Sequence, residues 1–249
     1  MSTPTEPPRL HLNKQTVSLS FESTLIQSSM RRADPNELVL DYTRTMMGAL
    51  LFDSQPGHVL MIGLGGGSMV KYLYHYVPQA RITAVEINQG VIDMRQEFCI
   101  PPDDERLRVL CEDGALHVAQ HRRTYDLILV DGFTGEGLPP ALSSDAFYRA
   151  CKAALKPGGI MVANVQADTQ ETRTVVKRIQ KAFDRAVISV ESDEGGNEIV
   201  TAGEFDTFMA ARADFTRRWE RLDKVHRETL SVCSSRFERA LLRLQEPAN

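Results

Sequence analysis

Short unbroken apolar runs, each closed by turn residues and followed by an amphipathic stretch, dominate the chain between residues 59 and 183. The runs are Val59–Ile62, Arg81–Ile87, Leu107–Cys111, Tyr125–Asp131 and Ile160–Val165. Continuous apolar runs of this length suit strands covered on both faces, as in a parallel sheet. Helical patterns follow them from about Ser68, at Val91–Phe98, beyond Ala115, at Ser144–Leu155 and at Thr169–Phe183. A strand followed each time by a helix predicts an α/β, Rossmann-like unit. Two stretches depart from that rhythm. From Thr16, alternation of Val17, Leu19 and Phe21, then Leu25–Met30, a turn at Ala33–Asn36 and a short strand at Glu37–Leu40 predict a small antiparallel appendage. Near the other end, Ala186–Glu191 and Glu198–Ala202 flank S-D-E-G-G-N, which predicts a hairpin and so an antiparallel sheet edge.

The remaining segments complete the division of the chain. Asp41–Phe52 carries Tyr42, Met46, Ala49 and Leu50 on one helical face, with Asp41 expected as its N-cap. Ala211 to about Gln245 is charge-rich, with Phe215, Trp219, Leu222, Val225, Leu230, Phe237, Leu241 and Leu244 at helical spacing. One apolar stripe there is expected to be buried, against its own domain or against a second subunit. The expected organisation is a flexible tail over 1–13, a β-hairpin region over 14–41, a Rossmann-like domain over 42–210 and a long helical segment over 211–249.

The candidate chemistry sits where the apolar runs end. Val59–Gly67 reads V-L-M-I-G-L-G-G-G, a strand entering a glycine cluster ahead of a helix. Glycines at 63, 65, 66 and 67 can take φ > 0 and let a ligand approach the backbone closely, while the helix start offers free N–H groups. Glu86 ends the second run about twenty residues later, where an acid meets ribose hydroxyls. Asp113 lies in the turn E-D-G-A and can act as a helix cap or as a ligand. Asp131 ends the run Y-D-L-I-L-V-D and opens into G-F-T-G-E-G-L-P-P, a candidate lid.

Composition narrows the partner. The 249 residues carry a formal net charge of −4, which offers no basic excess for a nucleic acid and fits a small-molecule partner better. Cys99, Cys111, Cys151 and Cys233 show neither a paired motif nor ligand spacing, so packing in a reducing compartment is expected and no metal. The N-terminus lacks the apolar core of a signal peptide and no stretch approaches a membrane span, so a soluble cytoplasmic protein is expected.

Taken together, the motifs I-G-L-G-G-G at 62–67, V-E-I-N at 85–88, E-D-G-A at 112–115, Y-D-L-I-L-V-D at 125–131 and F-Y-R-A-C-K-A-A-L-K-P-G-G at 147–159 resemble the spermidine synthases, or polyamine aminopropyltransferases. The resemblance runs from about Phe21 to Gly203, with L-I-Q at 25–27 and Tyr42 also similar. It implies the class I S-adenosylmethionine-dependent methyltransferase fold, a mostly parallel seven-stranded sheet with a C-terminal antiparallel hairpin. It implies decarboxylated S-adenosylmethionine as co-substrate, without a metal, and an amine acceptor such as putrescine; a homodimer is left open. Gly63, Gly65 and Gly67 would take the methionine-derived arm, Glu86 the ribose, Asp113 and Gly114 the adenine, with Gln27, Tyr42 and Ile87 completing the donor site. Asp131 would be the general base, and Asp131, Thr134 and Glu136 would face the acceptor.

Three departures from the family pattern stand out. Gly66 and Thr134 occupy positions where the family usually has aspartates, and Thr43 follows the tyrosine where Gln or His is common; the hairpin region is also shorter. Glu136 is the residue available to replace the missing charge. An S-adenosylmethionine-dependent methyltransferase on an unknown acceptor, and a non-catalytic nucleoside-binding protein, are the alternative readings.

Overall fold

A computed structural model describes residues 7–21, 26–132 and 138–245. At the N-terminal end, β1 (Arg9–Leu12), β2 (Thr16–Ser20) and β3 (Ile26–Arg31) form an antiparallel sheet in that order. Thus part of the stretch expected as a tail pairs with β2, Leu10 opposite Leu19. Val17, Leu19 and Met30 turn inward and are buried. Residues 37–40 form no strand. They lead into α1 (Asp41–Met46), which continues as a 3₁₀ turn over Met47–Leu51. Leu40, not Asp41, is the N-cap, because the Asp41 carboxylate is used elsewhere: it accepts the Glu194 N–H at 2.8 Å.

The main sheet contains β4 (His58–Ile62), β5 (Arg81–Glu86), β6 (Leu107–Cys111), β7 (Tyr125–Val130), β8 (Leu155–Gln166), β9 (Val187–Glu191) and β10 (Asn197–Ala202). Its order is β6-β5-β4-β7-β8-β10-β9, parallel through β8 and antiparallel at β10 and β9. This is the expected seven-stranded Rossmann-like sheet with a terminal hairpin. The order reverses between β4 and β7, so the crevice at their carboxyl ends is where a ligand belongs. β8 starts earlier than the apolar run suggested. Its first residues pass through Gly158 at φ 77°, and its pairing with β7 shifts register before Leu127↔Ile160.

Helices cover both faces: α2 (Ser68–Tyr76), α3 (Gln89–Asp93), α4 (Gly114–Ala119), α5 (Asp145–Ala154) and α6 (Gln170–Ala182). Ser144 and Thr169 cap α5 and α6 by accepting the Phe147 and Thr172 N–H groups. α3 is shorter than its periodicity suggested: it ends at Asp93, turns follow, and the chain reverses at Cys99, whose φ is 54°. That turn has consequences for the glycine cluster.

The C-terminal segment is not one long helix. It forms α7 (Phe205–Ala213), α8 (Phe215–Arg221), α9 (Lys224–Leu230) and α10 (Ser234–Arg243), whose breaks redirect the apolar stripe around its own domain. Leu222, Leu230, Phe237 and Leu241 are buried, while Phe215 and Trp219 are only partly covered. The Phe237 ring occupies the space a Cβ on Gly48 would need, 2.2 Å away, and meets Phe52 edge-on. The Tyr72 hydroxyl and His226 Nδ1, 2.7 Å apart, tie α9 to α2. Among the described residues no helix is long and apolar enough to cross a membrane.

Candidate functional site

The carboxyl ends of β4, β5, β6 and β7 converge on the glycine turn. Backbone bonds tie its entry to both neighbouring strands, the Gly63 N–H donating to Val85 O and the Asp131 N–H to the carbonyl of Ile62 at the end of β4, both at 2.9 Å. Gly63 is required twice over: its φ is 89°, and a Cβ would fall 2.1 Å from the Asp131 carbonyl oxygen. Gly65 and Gly67 also have positive φ, 52° and 64°. Gly66 does not, contrary to the expectation that all four glycines would. A Cβ at Gly66 would instead lie 2.7 Å from the Phe98 ring and 3.0 Å from Ser28 Cβ. Packing by residues distant in sequence, rather than backbone conformation, keeps that position bare.

Glu86 holds the turn in shape. Its Oε2 accepts the Leu64 N–H at 2.8 Å and its Oε1 accepts the Asn88 N–H at 2.9 Å. Each oxygen retains a lone pair for a further donor. Ile87 follows with half its surface exposed, 51%, and Leu116 at the start of α4 is 64% exposed. Ile87 directly follows Glu86 and Leu116 lies three residues beyond Asp113, so each carboxylate has exposed apolar surface close to it in sequence. Asp113 is the N-cap of α4, its Oδ1 accepting the Ala115 N–H at 2.8 Å and the Leu116 N–H at 3.3 Å. Gly114 packs too closely on Ile62 for a side chain, a Cβ falling 2.4 Å from Ile62 Cγ2.

Asp131, immediately after β7, is organised differently. Its Oδ2 accepts the Tyr42 hydroxyl at 3.1 Å and its Oδ1 accepts the Asn164 amide at 2.9 Å. Asn164 Oδ1 in turn accepts the Asn197 amide at 3.0 Å. The Tyr42 hydroxyl also lies 3.4 Å from the Gln27 carbonyl, so Gln27 meets Tyr42 through its backbone. Burial pushes the Asp131 carboxyl above its ordinary range; the bonds from Asn164 and Tyr42 pull it back, and the Glu86 charge adds to the rise. Burial, then the charge of Asp131, holds the Tyr42 hydroxyl well above the usual phenol value, so it stays protonated and donates. A cavity of about 10 Å³, room for about one water, opens between Ser28, Tyr42, Ser68, Met69 and Asp131.

The structure therefore brings Tyr42, Gly63, Gly65, Gly67, Glu86 and Asp131 to one crevice, with Ile87, Asp113 and Gly114 at its adjoining edge. Thr134 and Glu136 lie outside the described residues. The Thr43 hydroxyl donates to the Leu40 carbonyl. Sequence reasoning missed Asn164, Asn197, Ser28 and Phe98. Asn164 did carry a signal: it is a polar residue within the apolar run of β8 and is 3% exposed, and such a group needs a partner.

Residues 40–194 match the spermine/spermidine synthase domain family. A polyamine aminopropyltransferase of Neisseria meningitidis serogroup A is 40% identical over 187 residues, covering 74% of this chain and 71% of that protein. Among solved structures, a probable spermidine synthase from Corynebacterium glutamicum superposes with TM-score 0.70 at 19% identity, covering 99% of this chain and 97% of that one. Human methyltransferase-like protein 13, in complex with SAH, superposes with TM-score 0.62 at 21% identity, covering 84% of this chain and 96% of that one. The two likenesses show the same fold under two named activities.

Proposed function

The chain belongs to the spermine/spermidine synthase family, and from that premise we propose that it transfers an aminopropyl group from decarboxylated S-adenosylmethionine to putrescine or a related amine. The observation that carries the reading is Asp131, a desolvated carboxylate held by Tyr42 and Asn164 against the glycine turn. In the proposed reaction the amine nitrogen forms a bond to the aminopropyl carbon next to the sulfonium. The carbon–sulfur bond breaks, its electron pair returns to sulfur, and methylthioadenosine leaves. The proton lost by the amine passes to an Asp131 carboxylate oxygen. Such a displacement depends on aligning an uncharged amine with the carbon it attacks, which a fixed base at the crevice edge favours.

On the donor side, Glu86 would receive the ribose hydroxyls on the lone pairs its two backbone partners leave free. Ile87 and Leu116 would cover the adenine faces, with Asp113 and Gly114 at the adenine edge. Gly63, Gly65 and Gly67 would admit the methionine-derived arm, and Gln27 and Tyr42 would close the crevice from the N-terminal sheet and α1. Asp131, with Thr134 and Glu136 from the following loop, would meet the acceptor.

The test is incubation of the purified protein with decarboxylated S-adenosylmethionine and a panel of diamines, following methylthioadenosine and the extended amine together. Both products should appear in equal amounts. A protein that binds the nucleoside but releases neither product with any amine would transfer the assignment to a methyltransferase or a non-catalytic binding protein.

A further inference from the structure

Asp131 is gripped by two arms, Tyr42 of α1 on its Oδ2 and Asn164 of β8 on its Oδ1. Both arms lead to one turn, residues 192–196 between β9 and β10. Asn197, the first residue of β10, donates its amide to Asn164 Oδ1 at 3.0 Å. That bond fixes which way the Asn164 amide faces: its oxygen is engaged, and its NH₂ group is left for the carboxylate. On the other arm Asp41, beside Tyr42 in α1 and buried, accepts the Glu194 N–H at 2.8 Å. The turn is fastened within itself and to the sheet. The Ser192 hydroxyl donates to Gly195 O at 3.1 Å, and the Ala167 N–H, just beyond β8, donates to Gly196 O at 3.0 Å. From behind, Arg236 of α10 pairs with Asp193.

Without the Asn197 amide, the Asn164 side chain is free to turn its carbonyl toward Asp131, an arrangement that favours the protonated carboxyl and so removes a proton acceptor. Without the Asp41 carboxylate, the turn is released from α1, and Asn197 with it. We propose that the β9–β10 turn is a tie between the two arms, with Asn197 and Asp41 as positioning residues that keep Asp131 oriented to accept a proton. The tie gives α10 a part in the site, since Arg236 braces the same turn; it rests on Asp131 being the base of the proposed reaction. Burial raises the Asp131 carboxyl, and among the described residues the titratable groups that also act on it are Tyr42, whose bond lowers it, and Glu86, whose charge raises it. Neither belongs to the turn, whose own acids are Asp193, paired with Arg236, and Glu194, exposed to solvent. Loss of the Asp41 charge by itself could only lower the Asp131 pKa, so an upward shift on removing Asp41 reports the tie.

The experiment is NMR titration of Asp131, with aspartate labelled at its carboxyl carbon and the Asp131 signal identified by its loss in Asp131→Asn. It is run on wild type, Asn197→Ala, Asp41→Ala, Asp41→Asn and the double variant Asn197→Ala/Asp41→Ala, with turnover and thermal melting of each. Asn197→Ala and Asp41→Ala should each move the Asp131 pKa upward and lower kcat at neutral pH by about tenfold, leaving the donor KM nearly unchanged. Asp41→Asn keeps an acceptor for the Glu194 N–H and should restore the rate without an upward shift. Because both residues act through one turn, the loss in the double variant should fall well short of the product of the single losses. An unmoved or lowered Asp131 pKa in folded Asn197→Ala would overturn the proposal, and so would losses that multiply in the double variant. If Asp41→Ala does not fold, the titration of Asn197→Ala, at a half-buried position, decides alone. The titration needs no turnover, so a wild type inactive on every amine would count against the aminopropyl reading, while the tie would still stand or fall on the Asp131 signal.

Discussion

The two halves of the crevice use carboxylates in opposite ways. On the side proposed for the nucleoside, Glu86 and Asp113 accept backbone N–H groups from residues near them in the fold's local turns: Leu64 and Asn88 for one, Ala115 and Leu116 for the other. On the side proposed for the acceptor, Asp131 accepts side-chain donors, Tyr42 from α1 and Asn164 from β8, and Asn164 accepts from Asn197 of β10. A carboxylate that shapes a backbone turn cannot be removed without losing the turn. One held by side chains can be altered in charge while its neighbours adjust. The nucleoside half is therefore expected to couple binding to stability, and the acceptor half to separate turnover from both.

The largest expected effect tests that separation. Asp131→Asn preserves shape: its carbonyl can still accept from Asn164, and the Tyr42 hydroxyl can turn to the Gln27 carbonyl 3.4 Å away while accepting the new amide. Turnover should fall about 10²–10⁴-fold, the usual contribution of a positioned general base. Nucleoside affinity and melting temperature should hardly move. Retention of near-full turnover in a folded Asn variant would show that Asp131 only organises the loop.

Glu86→Ala should do the reverse and less. Each charge-assisted bond to a ribose hydroxyl is worth about 1.5–3 kcal/mol, and the Leu64 and Asn88 N–H groups lose their acceptor at the same time. Weaker nucleoside binding by calorimetry, accompanied by a lower melting temperature, is the expected pair of results. Full stability with lost affinity would mean that the turn keeps its shape without Glu86. Asp113→Ala should lose about 1 kcal/mol through the N-cap of α4, with a smaller loss of affinity than Glu86→Ala. Asp113→Ser, which restores a cap acceptor, should recover stability but not affinity.

The same contrast explains how much the sequence disclosed. Glu86, Asp113 and the glycine turn were legible because strand ends, caps and tight turns are local events with short spacings. Asp131 was legible for the same reason. Its bonds were not: Tyr42, though legible as a site residue, is 89 residues away and Asn164 is 33, and the register of β8 with β10, which sets Ile199 opposite Asn164, leaves Asn197 diagonal to it within hydrogen-bond reach. Gly66 shows the same limit from the other side. It was expected to be glycine for its φ, but the fold makes it glycine through Phe98, placed by the left-handed turn at Cys99. The C-terminal stripe was visible as a period of apolar residues. Its division into four helices depends on the curvature of the surface it wraps, which no local window contains.

The smallest effect is the most specific, because it separates a positioning role for Asn164 from ordinary packing. Burial raises the Asp131 carboxyl, so the acid limb of the rate profile should lie above the ordinary carboxylate range, where the protonated form can no longer take a proton from the amine. The Asn164 amide bonds to the charged form and pulls the pKa down. Asn164→Ala removes that bond, so the neutral acid persists to higher pH and the acid limb should move upward. Above the shifted limb Asp131 is ionised again, so much of the turnover should return. A residue that only packed β8 against β10 would lower the whole profile in proportion to the folded fraction and leave the limb where it was. Measuring turnover against pH for wild type and Asn164→Ala, with melting at each pH, distinguishes the two. An unmoved limb in a folded variant would leave Tyr42 as the side-chain hydrogen bond that tunes the base.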